Sequence, residues 1–264
     1  MTGYSHISVH IEKHIATVTI NRPEARNALN MKTIGELTTA FTGLSIDPAV
    51  RCVLLRGSGT EAFCAGADLQ ELNNAKSPAT RREFFSAIAT LVQAIQECAP
   101  PVVCIVYGFA LAGGLGLVAA SDIAIAADDA QFGLPEVAVG LAPLVVAAPL
   151  SKVVSGRGLS YLALSAERIG AAEALRIGLI SRTVPKDIAL NETLALCNVI
   201  AQRGPNAVRA TKANLLELRT LSGKGCLHEL ADRSALVSLS DEANEGIQAF
   251  SEKRSPRWKN STSK

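Results

Sequence analysis

From Val102 to Ala120 the chain runs 19 residues without a charged side chain. That is nominally long enough to cross a bilayer as one helix. Pro100 and Pro101 precede the run, however, and Gly108, Gly113, Gly114 and Gly116 interrupt it. Such punctuation fits a buried strand, a tight glycine turn and a buried helix better than a continuous span. The segment belongs in a protein core, and the remaining residues have to cover it. The 264 residues suffice for that, as one large domain or two small ones. With 48% hydrophobic residues and a net charge of only +2, disorder is excluded, and nothing at the whole-chain level points to nucleic acid or an anionic membrane. Only 4% of residues are aromatic, so Ala, Val, Leu and Ile must fill the core.

Around this run the pattern alternates between strands and helices. Ile7–Ile11 and Ile15–Ile20 alternate apolar and polar residues about Glu12-Lys13 and predict a hairpin. Helical spacing follows over Asn30–Ile46 and Ala79–Glu97, with strands expected at Val50–Arg56, Val102–Val106, Asp122–Ala126 and Leu179–Val184. Strands alternating with helices imply βαβ-type units and a largely parallel sheet. Beyond Val184 only helices are expected, at Asp187–Gln202, Pro205–Leu221, Gly225–Leu239 and Asp241–Lys253. The reading is an α/β core over residues 1–185 and a helical region over 186–264 that covers an interface.

Six cysteines at 52, 64, 98, 104, 197 and 226 show no C-x-x-C spacing and read as reduced thiols. Met1–His10 has neither secretory nor transit-peptide character, so a cytoplasmic location is expected. His6, His10 and His14 fall in a strand pattern and read as strand histidines, not a metal stripe. Gly57-Ser58-Gly59-Thr60-Glu61-Ala62 has the outline of a dinucleotide loop, but another turn follows where a long helix is required. A strand-end turn is the better reading.

Two other turns hold small residues that expose backbone. One is Ala65-Gly66-Ala67-Asp68-Leu69; the other is Gly108 to Gly114, between a buried strand and a helix. Each can be a packing turn, or the pair can supply two N–H donors of an oxyanion hole. Glu136, after Pro135 and before a long apolar stretch, is either a solvated helix start or a carboxyl group of raised pKa suited to proton transfer.

These turns and this glutamate, in this order, resemble the crotonase superfamily, the enoyl-CoA hydratase/isomerase family. The likeness includes Asn21-Arg22-Pro23 with Asn27-Ala28-Leu29, Phe63 to Leu69, Gly108 to Gly114 and Ser121-Asp122-Ile123-Ala124. It continues through Phe132 to Glu136, Ala171 to Leu179 and Phe250 to Lys253. Each motif is weak alone, while the ordered set spans nearly the whole chain. The resemblance implies a spiral of ββα units with a helical C-terminal trimerisation region, as a homotrimer or dimer of trimers. It also implies an acyl-CoA thioester substrate, coenzyme A being part of that substrate and no separate cofactor being needed. Oxyanion donors would be the N–H groups of Ala67 and Gly113, with Glu136 as acid/base.

One departure stands out. Hydratases of this family hold water between two glutamates; the second matches Glu136, and the first falls on Gly116, which cannot ionise. A single glutamate is the arrangement of Δ3-Δ2-enoyl-CoA isomerases, whereas family frequency favours a hydratase, so both readings stand. The further carboxylate of dienoyl-CoA isomerases falls on Leu144, and Pro143 to Ala147 implies an apolar, reshaped acyl pocket. Substrate contacts implied by the resemblance are Ala25, Arg26, Ala28, Ala65, Asp68, Leu69, Gln70, Gly114, Gly116, Leu144, Phe250 and Lys253, the last two from a neighbouring subunit. The basic tail, Lys253, Arg254, Arg257, Lys259 and Lys264, can meet phosphates or simply face solvent. An acyl-CoA-binding protein with little catalysis, or a hydrolase, decarboxylase or dehalogenase on the same scaffold, are the alternatives.

Overall fold

The computed structural model describes residues 3–218 and 226–259. Strands β1 (Ile7–Glu12) and β2 (Ile15–Ile20) form the expected hairpin, turning at Lys13 and His14, both with positive φ. Helix α1 (Met31–Ile46) begins where Asn30 accepts a hydrogen bond from the Thr33 N–H. There follow β3 (Cys52–Gly57), β4 (Ala62–Cys64), α2 (Leu69–Asn74) and α3 (Pro78–Gln96), then β5 (Val102–Val106), β6 (Phe109–Leu111) and α4 (Gly113–Ala120). Next come β7 (Ile123–Ala127), β8 (Gln131–Gly133), a 3₁₀ turn over Pro135–Val139, α5 (Leu144–Leu150) and α6 (Gly156–Ser165). The chain continues with β9 (Ile169–Gly170), α7 (Ala171–Arg176), β10 (Arg182–Val184), α8 (Ala189–Ala201), α9 (Pro205–Glu217), α10 (Cys226–Ser238) and α11 (Asp241–Ser251).

The long uncharged run is divided where its glycines fall, into β5, β6 and α4. Every residue of β5 and of α4 is buried. Among the described residues no helix is long and apolar enough to cross a membrane. Two expectations are corrected. The strand expected over Leu179–Val184 is only Arg182–Val184, because the Leu179 and Ile180 N–H groups bond back to Ala174 O and finish α7 around Gly178 at φ +85°. Helix α9 ends at Glu217, and residues 219–221 of the expected helix, like Gly225 of the next, lie outside the described residues.

The strands sort into two sheets. A large one has the order β1-β2-β3-β5-β7-β10, parallel except for the hairpin. A small one has the order β4-β6-β8-β9, with its first three strands parallel. From β3 to β8 successive strands alternate between them, so β3–β4–α3, β5–β6–α4 and β7–β8–α5 are three turns of one ββα spiral. One face of the large sheet packs on α1, α3 and α4 through residues such as Phe41, Phe84, Leu91 and Leu115. The other face, with Leu54, Val103, Ile105 and Ile125, is covered by Ala189, Cys197 and Ala201 of α8. Cys52, Cys64, Cys98, Cys104 and Cys197 are free and buried.

A polar clasp joins the C-terminal helices to this core. Lys212 of α9 is 7% exposed, and its Nζ lies 2.7 Å from Asp122 Oδ2. It also donates to the carbonyl of Pro100 at 3.2 Å. Asp122 Oδ2 accepts the Val102 N–H at 2.7 Å, so one carboxylate ties the start of β5, the start of β7 and α9 together. Removing one member of such a pair strands the other charge. Lys212→Met is therefore expected to lower the unfolding free energy by about 3 kcal/mol. Asp122→Asn in the same chain should recover part of that loss, as urea denaturation of the single and double variants would show.

Candidate active site

Three short strands set the geometry. β4, β6 and β8 lie side by side and parallel, with Cys64 opposite Ala110 and Leu111 opposite Gly133. Their carboxyl ends lead respectively into Ala65-Gly66-Ala67, Ala112-Gly113 and Pro135-Glu136. The outside of the carboxyl ends of parallel strands is where ligands collect in α/β proteins. Strand spacing of about 4.8 Å brings the three segments within reach of one small group.

The two glycine turns pack directly on each other. Gly66 has φ +97°, and a Cβ there would stand 2.6 Å from Ala112 Cβ and 3.2 Å from Gly113 N. Gly114 is equally constrained, since its Cβ would meet Cys64 O at 2.3 Å. Without side chains at 66 and 114, the Gly113 backbone approaches Ala67 N, 3.6 Å from the point a Gly113 Cβ would occupy. Ala112 adopts φ 47°, ψ −120°, a conformation that strains an L-residue by about 1–3 kcal/mol. Its N–H donates to Gly133 O of β8 at 3.0 Å, which fixes the strained turn against the next strand. Gly113 is the first residue of α4, where backbone N–H groups lack helical partners. Neither its N–H nor that of Ala67 has a backbone acceptor among the described residues. Ala67 and Gly113 both line a cavity of about 550 Å³.

Glu136 lines the same cavity, together with Leu72, Phe85, Ile88, Leu141, Leu144 and Val146. Its Oε2 is buried and has no hydrogen-bond partner among the described residues. Burial holds its pKa above the ordinary carboxyl value, and its own backbone N–H offsets this only in part. Among the described residues no other side chain lining the cavity is titratable. The volume beside Gly116 is filled by Val146, whose Cγ1 would lie 2.8 Å from a Cβ at that position. The pocket is apolar, as the Pro143–Ala147 segment led us to expect, and Leu144 lies in its wall.

Ala65 and Leu69 line the cavity, and Gly114 and Gly116 are buried behind it. Arg26, at φ 51°, borders a second, more polar cavity of about 450 Å³ that shares Ala65 with the first. Ala25 and Ala28 flank Arg26, whose carbonyl accepts the Ala65 N–H at 3.1 Å. Asp68 serves the scaffold: Oδ2 accepts from both terminal nitrogens of Arg22 at 3.1 Å, and Oδ1 caps α2 through the Gln70 and Glu71 N–H groups. Gln70 itself is exposed. Arg22 also donates to Ala28 O, and buried Asn27 donates to Ala62 O, so this polar network pins the first glycine turn. It was not singled out from the sequence, because Arg22 and Asp68 are 46 residues apart. Phe250, 86% exposed, and Lys253 line neither cavity. Arg254 of the basic tail pairs with Glu245 and Glu252, and Lys264 lies outside the described residues. His6 contacts Asn30 and Thr33, and His14 contacts Ala49 O.

Comparison with known proteins supplies the context. The sequence profile described as Enoyl-CoA hydratase/isomerase matches residues 10–261. A crotonyl-CoA hydratase of Syntrophomonas wolfei is 36% identical over 96% of this chain and 97% of its own. A 2,3-dehydroadipyl-CoA hydratase of Escherichia coli is 30% identical over 97% and 99%. The crystal structure of an enoyl-CoA hydratase from Mycobacterium smegmatis superposes with a TM-score of 0.92 at 32% identity, covering 96% of this chain and 99% of that one.

The burial of Glu136 has a measurable sign. With its pKa raised on folding, the native state holds this proton more tightly than the unfolded chain. Its contribution to stability is present below the ordinary carboxyl pKa and is lost as pH rises through the raised value. Glu136→Gln is therefore expected to melt above the wild type at neutral pH, with the difference closing toward about pH 4. A variant that melts lower at neutral pH, increasingly so as pH rises, would mean that a partner stabilises the ionised carboxylate.

Proposed function

The chain belongs to the enoyl-CoA hydratase/isomerase family, and from that premise we propose that it moves the double bond of an enoyl-CoA thioester between C3 and C2. One observation carries this reading: among the described residues, Glu136 is the sole titratable side chain lining the cavity that Ala67 and Gly113 also line. The thioester carbonyl oxygen accepts from both donors. Glu136, as carboxylate, removes a C2 proton from the 3-enoyl thioester, leaving a dienolate whose charge gathers on that oxygen. The same carboxyl group returns the proton to C4, so no atom is gained or lost. Charge on the oxygen exists only during reaction, so fixed donors stabilise the transition state selectively. The raised pKa of Glu136 suits the abstraction half of the shuttle, since a stronger base takes a weakly acidic C–H proton more readily.

Hydration is the second reading, favoured by the names of the relatives, which include hydratases of crotonyl-CoA and 2,3-dehydroadipyl-CoA. There Glu136 alone would activate the water. In either case the nucleotide end of coenzyme A is proposed to pass Ala25, Arg26 and Ala28, with Phe250 and Lys253 supplied by a neighbouring copy. Exposed Leu227, Leu236, Ile247 and Phe250 on α10 and α11, with Leu239 between them, support that assembly, a homotrimer or dimer of trimers.

The test is mass spectrometry of 2-enoyl- and 3-enoyl-CoA thioesters incubated with the protein in deuterated water. Double-bond migration without added water is expected. Glu136→Gln should lower the rate about 10²–10⁴-fold. Gain of one water by most of the product would establish the hydratase instead. Binding without chemical change in any thioester would favour an acyl-CoA-binding protein.

A further inference from the structure

Gly116 stands three residues beyond Gly113 on α4, so both lie on the same side of that buried helix. Glycine is a poor residue for a helix interior, and its neighbour explains its presence. A Cβ at 116 would lie 2.8 Å from Val146 Cγ1 and 3.2 Å from Val146 Cβ. Val146 is 4% exposed, sits on α5 and forms part of the cavity wall. Being β-branched on a helix, it has essentially one side-chain rotamer and cannot swing aside. The place a side chain at 116 would grow into is therefore occupied by a rigid apolar group.

We propose that Val146 is the specificity-determining residue of this cavity: it denies space to a second polar side chain, and to the water such a group would hold, so that Glu136 carries the only mobile proton. This rests on the reading of Glu136 as the proton carrier. Water occupies a protein cavity only where it finds two or more polar partners. Trimming Val146 alone adds room but no further polar partner. A carboxylate at 116 together with the added room completes a water site.

The wild type, Val146→Ala, Gly116→Glu and the double variant are compared with 2-enoyl- and 3-enoyl-CoA in ¹⁸O-labelled water, and their melting temperatures are recorded. Gly116→Glu is expected to melt roughly 5 °C or more below the wild type. Adding Val146→Ala should restore at least about half of that loss, a coupling expected of residues in contact. The share of labelled 3-hydroxyacyl product should rise at least about tenfold in the double variant and in neither single one. The proposal is overturned if Gly116→Glu alone is as stable as the wild type and hydrates as well as the double variant. It is equally overturned if the double variant recovers no stability and gains no label. Labelled product as the main product of the wild type would sink both this proposal and the isomerase reading. A wild type inert toward every thioester would sink the isomerase reading alone, and the melting coupling would still decide whether Val146 holds that space.

Discussion

Three strands of three residues each, hydrogen-bonded side by side, position every group to which the proposed reaction gives a part. The N–H of Ala67 follows β4, that of Gly113 follows β6, and the carboxyl of Glu136 follows β8. Ladder hydrogen bonds fix the spacing of the strands, so the relative placement of the two N–H donors is a backbone property that side-chain rotation cannot disturb, and the same ladder fixes the backbone from which the Glu136 side chain extends. The large sheet and its helices serve mainly to keep these short strands parallel. Strands of this length are not stable by themselves, and each is held because its longer partner in the ββα turn is locked into the large sheet.

The site stores strain and unmet polarity that the scaffold must offset. Ala112 sits in a backbone conformation suited to glycine, and Glu136 keeps an oxygen buried without a partner. Residues of this kind persist only when their surroundings over-determine them. Here the surroundings are the Ala112-to-Gly133 hydrogen bond, the Arg22–Asp68–Ala28 network and the fully buried α4. A buried carboxyl without a partner destabilises its ionised form, and in the proposed reaction that same property would make it a stronger base toward a C–H bond. Stability and reactivity oppose each other at this one residue.

Much of the fold was legible because long elements repeat a period. The hairpin, α1, α3 and the all-apolar β5 follow from alternation, helical spacing and the glycine-cut run. The small sheet was not, since strands of two or three residues are too short to show a period of two, and in the sequence they read only as turns. Leu179 and Ile180 misled in the opposite way: two apolar residues beside a short strand were absorbed into the end of α7. The motifs around Gly66, Gly113 and Glu136 marked the site through their ordered resemblance to a family, which each motif alone is too common to do.

What the sequence by itself determined was the material: an uncharged run that had to be core, glycines wherever backbones must touch, and one glutamate at the edge of an apolar stretch. It also determined that position 116 carries no carboxylate. Whether another side chain stood in for it was decided only by tertiary structure, because that depends on which residues from distant segments share a volume. Val146, 30 positions away on another helix, occupies that space with methyl groups. Likewise the pairing of Gly66 with Ala112 joins two turns 46 residues apart, and only the parallel ladder between β4 and β6 brings them into contact.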